Sequence, residues 1–255
     1  MTRTFPRASL VLLLSLVFAT AAGAANLRDK LVLYLPMDEG KGDAIADMSD
    51  SKFKGAAHNA KWVDGKIGKA LEFGGQDIWA TVPDAPELNF KQGESFTLAC
   101  WTMMTGAWSG QGNIVAKYKI GGGTGPFYGM FVFTGDKIHT YTRGGPNVEL
   151  WSKASINDKK WHHLALVRDA GKTVTLYVDG QKDDAKDDTS GDLTNVETFS
   201  MGRHTTDQFY AGVVDEVALW RRALSQAEVQ SVLQGGFLAV EPHGRAATTW
   251  AALKR

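Results

Sequence analysis

Apolar positions along the chain come in short runs or alternate with polar ones, and turn residues interrupt them every few positions. In Thr173-Val-Thr-Leu-Tyr-Val178, the residues Val174, Leu176 and Val178 share one face, and Asp179-Gly180 ends the run in a hairpin-type turn. The same pattern predicts strands over 31–35, 70–73, 78–82, 96–104, 113–117, 128–133, 137–142, 161–168, 173–178 and 213–220. Within 161–167 apolar residues occupy both parities, so that strand should be covered on both sides. Many strands with no helices between them predict an all-β fold, an antiparallel sandwich of two sheets. One short C-terminal helix is expected over 226–234. Ser225 and Glu228 have the spacing of a capping box, and Gly235-Gly236 stops the turn. Lys182 to Asp188 mixes lysines with aspartates and reads as a solvated loop.

The first 24 residues have the pattern of an export signal. Arg3 and Arg7 precede an apolar run from Leu10 to Phe18, and Ala22-Gly23-Ala24 offers a small-residue cleavage site. That run is shorter than the roughly 20 residues a membrane span needs, so a soluble exported protein without a span is expected after cleavage. The expected organisation is a signal peptide over 1–24, one domain over 25–236 and a tail over 237–255. Secretion, the periplasm or the cell surface are the expected locations. Lys+Arg and Asp+Glu both total 28, so no basic surplus draws the chain to nucleic acid or anionic lipid. The single Cys100 forbids an internal disulfide, and its place in Phe96-Thr-Leu-Ala-Cys-Trp101 suits an inert core thiol. Gly121-Gly-Gly-Thr-Gly125 falls between strands and lacks the helix and the Gly-Lys-Ser/Thr ending of a phosphate loop, so it reads as a hairpin loop.

Several segments, in order, resemble the LamG-like jelly-roll family of the concanavalin A-like lectin/glucanase group. They are Tyr34-Leu-Pro-Met-Asp-Glu-Gly40, Gly68-Lys-Ala-Leu-Glu-Phe-Gly-Gly75, Phe96 to Trp101, and Trp161-His-His-Leu-Ala-Leu-Val-Arg168. Leu176-Tyr-Val-Asp-Gly180, Gly212-Val-Val-Asp-Glu-Val217 and Trp220-Arg-Arg-Ala-Leu-Ser-Gln-Ala-Glu228 follow. The resemblance covers about 31–233 and implies a jelly roll with one concave sheet. Such folds host lectins, glycanases and adhesion modules, so the function has to come from the site residues.

No catalytic residue emerges. The paired carboxylates of a Glu-x-Asp-x-x-Glu strand are missing, and Asp215-Glu216 are adjacent, which on a regular strand sends them to opposite faces. His162-His163 diverge for the same reason and read as structural residues beside a buried Trp161. Asp38 follows an apolar run, and Asp215 shares strand parity with Val213, Val217 and Leu219. A carboxylate on an apolar face needs a hydrogen bond, a charge partner or a metal. The resemblance implies calcium on Asp38 and Asp215; the 47–55 turn could add carbonyls, although Ser51-Lys-Phe-Lys54 departs from the family's turn, and backbone capping by the two aspartates is the alternative. Of the aromatics in mid-chain, most are expected in the core. Trp108, Tyr141 and Arg143 are the candidates for an exposed ligand surface. The expected function is a non-catalytic module that binds glycan or another extracellular partner. An atypical glycan hydrolase and a purely structural sandwich are the alternatives.

Overall fold

The computed structural model describes residues 26–59, 61–74, 77–106, 112–119, 125–133, 137–204 and 209–235. The strands are β1 (Leu31–Leu35), β2 (Ala44–Ala46), β3 (Lys54–His58), β4 (Lys61–Asp64), β5 (Lys69–Gly74), β6 (Trp79–Val82), β7 (Phe96–Met104) and β8 (Gly112–Lys117). They continue with β9 (Phe127–Val132), β10 (Ile138–Arg143), β11 (Asn147–Trp151), β12 (His162–Asp169), β13 (Thr173–Val178), β14 (Gln181–Asp187), β15 (Phe199–Met201) and β16 (Ala211–Trp220). The helix α1 spans Gln226–Leu233.

The first sheet runs β14-β13-β12-β7-β16-β5-β4, with β1 paired to the second half of β16. The second runs β11-β10-β9-β8-β15-β6-β3-β2. All pairings are antiparallel, and the two sheets pack their inner faces on one core that includes Leu35, Leu98, Tyr128, Leu166 and Leu219. This is the expected jelly-roll sandwich with one C-terminal helix. Both halves of the capping box form: Ser225 Oγ accepts from the Glu228 amide, and Glu228 reaches back to the Ser225 amide.

Strand β12 is covered on both sides, as its apolar pattern requires. Leu164 and Leu166 enter the core, while Ala165 and Val167 face the layer formed with Trp220, Val229 and Val232 of β16 and α1. Where loop was expected over 182–188, the chain forms β14. It is an edge strand whose Lys and Asp side chains leave one side unattractive to further pairing, which a solvated composition accomplishes as well as a loop does. Arg168 lies under the end of this sheet with its side chain 1% exposed, and its Nε is 2.9 Å from Asp188 Oδ2.

Cys100 is fully buried in β7, and burial pushes its thiol well above the ordinary range, as an inert core thiol requires. Among the described residues, no helix is long and apolar enough to cross a membrane.

Candidate functional site

Two regions hold the chemistry. The first is built by an irregularity in β16. Its register against β7 shifts between Asp215 and Ala218, and Glu216 has φ 54°, so one extra residue forms a β-bulge. Asp215 therefore pairs with Trp101 on the outer face, beside Val213, whereas Val217 and Leu219 point into the core. The parity expected for Asp215 with Val217 and Leu219 is thus corrected: the bulge changes the count between them. The bulge also overrides the alternation that would send Asp215 and Glu216 to opposite faces, and both carboxyls are buried.

Asp38 and Asp215 converge on the turn between β4 and β5. The Lys69 amide donates to Asp38 Oδ1 at 2.8 Å, and the Ile67 amide donates to Asp215 Oδ2 at 3.0 Å. Glycines make this approach possible, since a Cβ on Gly65 would stand 2.7 Å from Asp215 Oδ2, and one on Gly68 would run into Asp38 Oδ1. Asp215 Oδ1 is buried without a hydrogen-bond partner. Burial pushes the Asp215 carboxyl up to about 7, and the nearby Asp38 adds to the rise against the pull of the backbone amides. Glu216 is pushed up to about 8, again chiefly by burial; its Oε2 accepts from the Tyr34 hydroxyl at 2.7 Å. Among the described residues, no group of three His, Cys, Asp or Glu side chains could hold a metal. Any ion here would need backbone carbonyls and water beside Asp38 and Asp215. In the 47–55 turn, Asp47 is already occupied: it accepts from the amides of Tyr34, Ser49 and Phe53 and from the Ser49 hydroxyl.

The second region is the outer face of the second sheet. In β9, Tyr128, Met130 and Val132 point into the core, so Phe127 and Phe131 point outward. In β10 the outward residues are His139, Tyr141 and Arg143, and in β11 they are Asn147, Glu149 and Trp151. A solvent-facing sheet surface should be polar at these positions, yet this one carries a packed bed of rings, with Phe127 6% and Phe131 1% exposed, from which Tyr141 emerges half-buried and Trp151 exposed. Tyr118 stacks on His204 with centroids 5.1 Å apart, Phe131 meets both edge-on, and Tyr141 leans on Phe127 and Phe131. The Arg143 guanidinium lies over the Phe127 ring at 5.9 Å. Together these side chains line a depression of about 250 Å³, rimmed by the polar ends of Arg143, Asn147 and Glu149.

Beside it Trp151, 45% exposed, stacks on the buried His139 ring at 3.7 Å. His139 Nε2 is 3.4 Å from Glu149 Oε2, but burial pulls the imidazole down to about 4, so at neutral pH it is an uncharged ring under the tryptophan. Burial also pushes the Tyr141 phenol up to about 12, with Glu149 reinforcing it, so Tyr141 stays a neutral hydrogen-bonding group.

The structure thus brings Tyr141 and Arg143 into one depression. Trp108, the third expected contact, lies outside the described residues. The expectation that most mid-chain aromatics fill the core is corrected. Tyr128 and Tyr210 do; Tyr118, Phe127 and Phe131 are buried as well, but in a separate cluster on the outer face rather than between the sheets, with Tyr141, Phe133 and the exposed Trp151 at its edge, and sequence reasoning missed Phe131 and Phe133 as site residues. The signal was present, because β9 has apolar residues at both parities just as β12 does.

His162 and His163 do diverge. His163 is buried edge-on against Trp101 rather than beside Trp161, which is only half-buried. His162 is held between Asp158 Oδ1 at 3.0 Å and Asp179 Oδ2 at 2.8 Å. Burial opposes its charge, but the two carboxylates outweigh it and raise the imidazole above its ordinary 6.5. A raised histidine stabilises the fold fully below that ordinary value, and the gain fades as pH rises through the folded one. His162→Gln should therefore lower the melting temperature by a few degrees at pH 6 and by much less at pH 9. An equal loss at both values would remove the charge from this account.

Residues 73–230 match the sequence profile Laminin_G_3, described as the concanavalin A-like lectin/glucanases superfamily. The chain belongs to that superfamily. Solved structures share its fold. The binding domain of Paraclostridial Mosquitocidal Protein 1 superposes with a TM-score of 0.70 at 17% identity, covering 83% of this chain and 53% of that one. The botulinum neurotoxin serotype G binding domain gives a TM-score of 0.67 at 11% identity, with 81% and 51% covered. The binding domain of botulinum neurotoxin DC, solved in complex with rat synaptotagmin II, gives 0.64 at 12%, with 82% and 52% covered. This superfamily member thus spans about half the length of each of those structures, and the likeness speaks for the fold alone. No curated protein sequence matches the chain.

Proposed function

We propose that the protein is an exported, non-catalytic module that binds glycan on the outer face of its second sheet. One observation carries this reading: on the outward sheet surface the half-buried Tyr141 and the exposed Trp151 stand on a packed bed of rings beside a depression with Arg143, Asn147 and Glu149 on its rim. Ring faces match the apolar faces of sugars, and planar forked side chains on the rim match pairs of hydroxyls. The family's fold and the binding domains that share it are consistent with such a role. Hydrolysis is the weaker reading. It needs two carboxyl groups flanking one bond, and the depression offers Glu149 alone among its described lining residues, while Asp215 and Glu216 sit on the other sheet. The test is retardation in native gels cast with soluble polysaccharides, together with product analysis on the same glycans. Retardation without products supports the reading; sustained release of sugar overturns it.

Calcium belongs to the same proposal as a stabiliser. The buried, unpartnered Asp215 Oδ1 and the convergence of Asp38 and Asp215 on one turn suit a hard cation with oxygen ligands. When bound, the ion would neutralise the two carboxylates and clip β1, the β4–β5 turn and β16 together. At a hundred times its dissociation constant it would add about 2.7 kcal/mol to the folded state. That corresponds to a rise in melting temperature of roughly 5–10 °C for a domain of this size. Asp215→Asn keeps an acceptor for the Ile67 amide but removes the charge, and should abolish the rise. A melting curve indifferent to both calcium and chelator would refute the site. The leader-like pattern of residues 1–24 supports export, with cleavage after Ala24 to be checked by N-terminal sequencing of secreted material.

A further inference from the structure

Tyr118, Phe127 and Phe131 form the bed of the depression and are at most 6% exposed, so a ligand there meets the depression and its rim alone. At about 250 Å³ it is smaller than the roughly 300–1,000 Å³ of sites for drug-sized ligands, which suits one sugar ring. The charged groups around it decide which ring.

Arg143 is half-buried at the end of β10, opposite Asn147 of β11. Its guanidinium lies over Phe127, and among the described residues no carboxylate stands within 4 Å of it and no acceptor takes its N–H groups. Arg168, Arg221 and Arg222, by contrast, each hold a carboxylate. The Arg143 charge also reaches the phenols of Tyr118 and Tyr141, where it opposes the burial that raises both. Both phenols therefore keep their protons at neutral pH, and neither hydroxyl has a hydrogen-bond partner among the described residues. A guanidinium with unspent donors beside two neutral hydroxyls is a donor set for an anion.

The one carboxylate among the described lining residues is engaged elsewhere. Glu149 Oε2 is 3.4 Å from His139 Nε2, and its Oε1 accepts from Asn147 Nδ2 at 3.3 Å. Its charge repels a second anion, so the site has room for one acidic group, at the Arg143 end. Lys+Arg and Asp+Glu both total 28, so no general field draws a polyanion to the chain, and a preference for an acidic ligand has to come from a local cation.

We propose that the depression selects a glycan unit bearing one carboxylate, held by the Arg143 fork with the Tyr118 and Tyr141 hydroxyls as further donors. The proposal rests on the glycan-binding reading above and names the sugar class for the same site. The planar fork matches a carboxylate through two parallel N–H···O bonds, which an amide side chain cannot reproduce.

The test is titration calorimetry with sialyllactose, a hyaluronan tetrasaccharide and trigalacturonate, each beside its carboxyl-reduced counterpart, and with laminaritriose, xylotriose and mannotriose as neutral probes. At least one acid should bind at least about tenfold more tightly than its reduced form, and added salt should weaken the acid while sparing the reduced form. Arg143→Gln, checked for an unchanged melting temperature, should bring the acid down to the affinity of its reduced form. Equal affinity of the wild-type protein for acid and reduced forms, or binding of the neutral probes alone, would overturn the selection while leaving glycan binding intact, and needs no variant. A folded Arg143→Gln that keeps the full preference would overturn it too. Binding of none of the probes, acidic or neutral, would defeat the glycan reading and the selection together.

Discussion

Replacing Arg168 with alanine is expected to cost about 3–5 kcal/mol, because it leaves the charge of Asp188 buried without its partner. Both side chains are 1% exposed. The guanidinium also donates through Nη2 to the carbonyls of Ser190 and Gly191, at 2.7 and 3.1 Å, and so ties the segment after β14 to β12. Asp188 in turn accepts from the Gly171 amide at 3.0 Å and the Ser190 amide at 3.1 Å. At 2–4 °C per kcal/mol for a domain of this size, the melting temperature should fall by roughly 6–20 °C. Changing both partners, Arg168→Met with Asp188→Leu, should recover part of the loss, since it removes the unpaired charge that dominates it. A shift of only a degree or two in the single variant would show that water reaches the pair and screens it.

The second large effect is on binding. Tyr141 and Arg143 share one strand parity and meet in the depression, Tyr141 through its ring and neutral phenol, Arg143 through a guanidinium steadied over Phe127. Anchors of these types, held against packed neighbours, carry a disproportionate share of binding energy. Tyr141→Ala and Arg143→Ala should each weaken binding of a retarding glycan by at least about tenfold, with little change in melting temperature since both side chains are half-buried. Val196, 84% exposed, serves as a control; Val196→Ala should change neither affinity nor stability. If both site variants bind like wild type, the depression is not where ligand sits.

The parts of the fold legible in the sequence are those whose local chemistry agrees with their tertiary role. Phe96–Met104 and Thr173–Val178 have β-branched and aromatic residues bounded by turns, and the strands have those limits. The helix announced itself through Ser225 and Glu228. Strands β2 and β3, Ala-Ile-Ala and Lys-Gly-Ala-Ala-His, have little β-propensity of their own; pairing within the sheet makes them strands. Asn147-Val-Glu-Leu-Trp151 is missing from the expected strands although its alternation, which places Val148 and Leu150 in the core, marked it as one. The bulge at Glu216 carried no such mark, because its positive φ falls on a residue type that gives no warning, and it reversed the face assigned to Asp215 relative to Val217.

The candidate site was half legible for a related reason. Strands β9 and β12 both have apolar residues at both parities, which says that each is covered on two sides but not by what. On β12 the cover is the layer under α1, whereas the outward rings of β9 are covered by Tyr118, Tyr141 and His204 beside a depression. Only the arrangement of the sheets tells a covering helix from a surface left for a ligand.

The most direct test of the central claim uses the indole N–H resonances of the protein's eight tryptophans during titration with a retarding oligosaccharide. Trp151 stands exposed at the edge of the depression, whereas Trp220 is fully buried on the outer face of the first sheet, with its Nε1 bonded to the Leu27 carbonyl at 2.7 Å. The Trp151 resonance should move with ligand concentration while that of Trp220 stays in place, and Tyr141→Ala should remove the movement. A titration that shifts Trp220, or Trp62 of β4 in the first sheet, and leaves Trp151 still would contradict it, and would put the ligand on the other sheet.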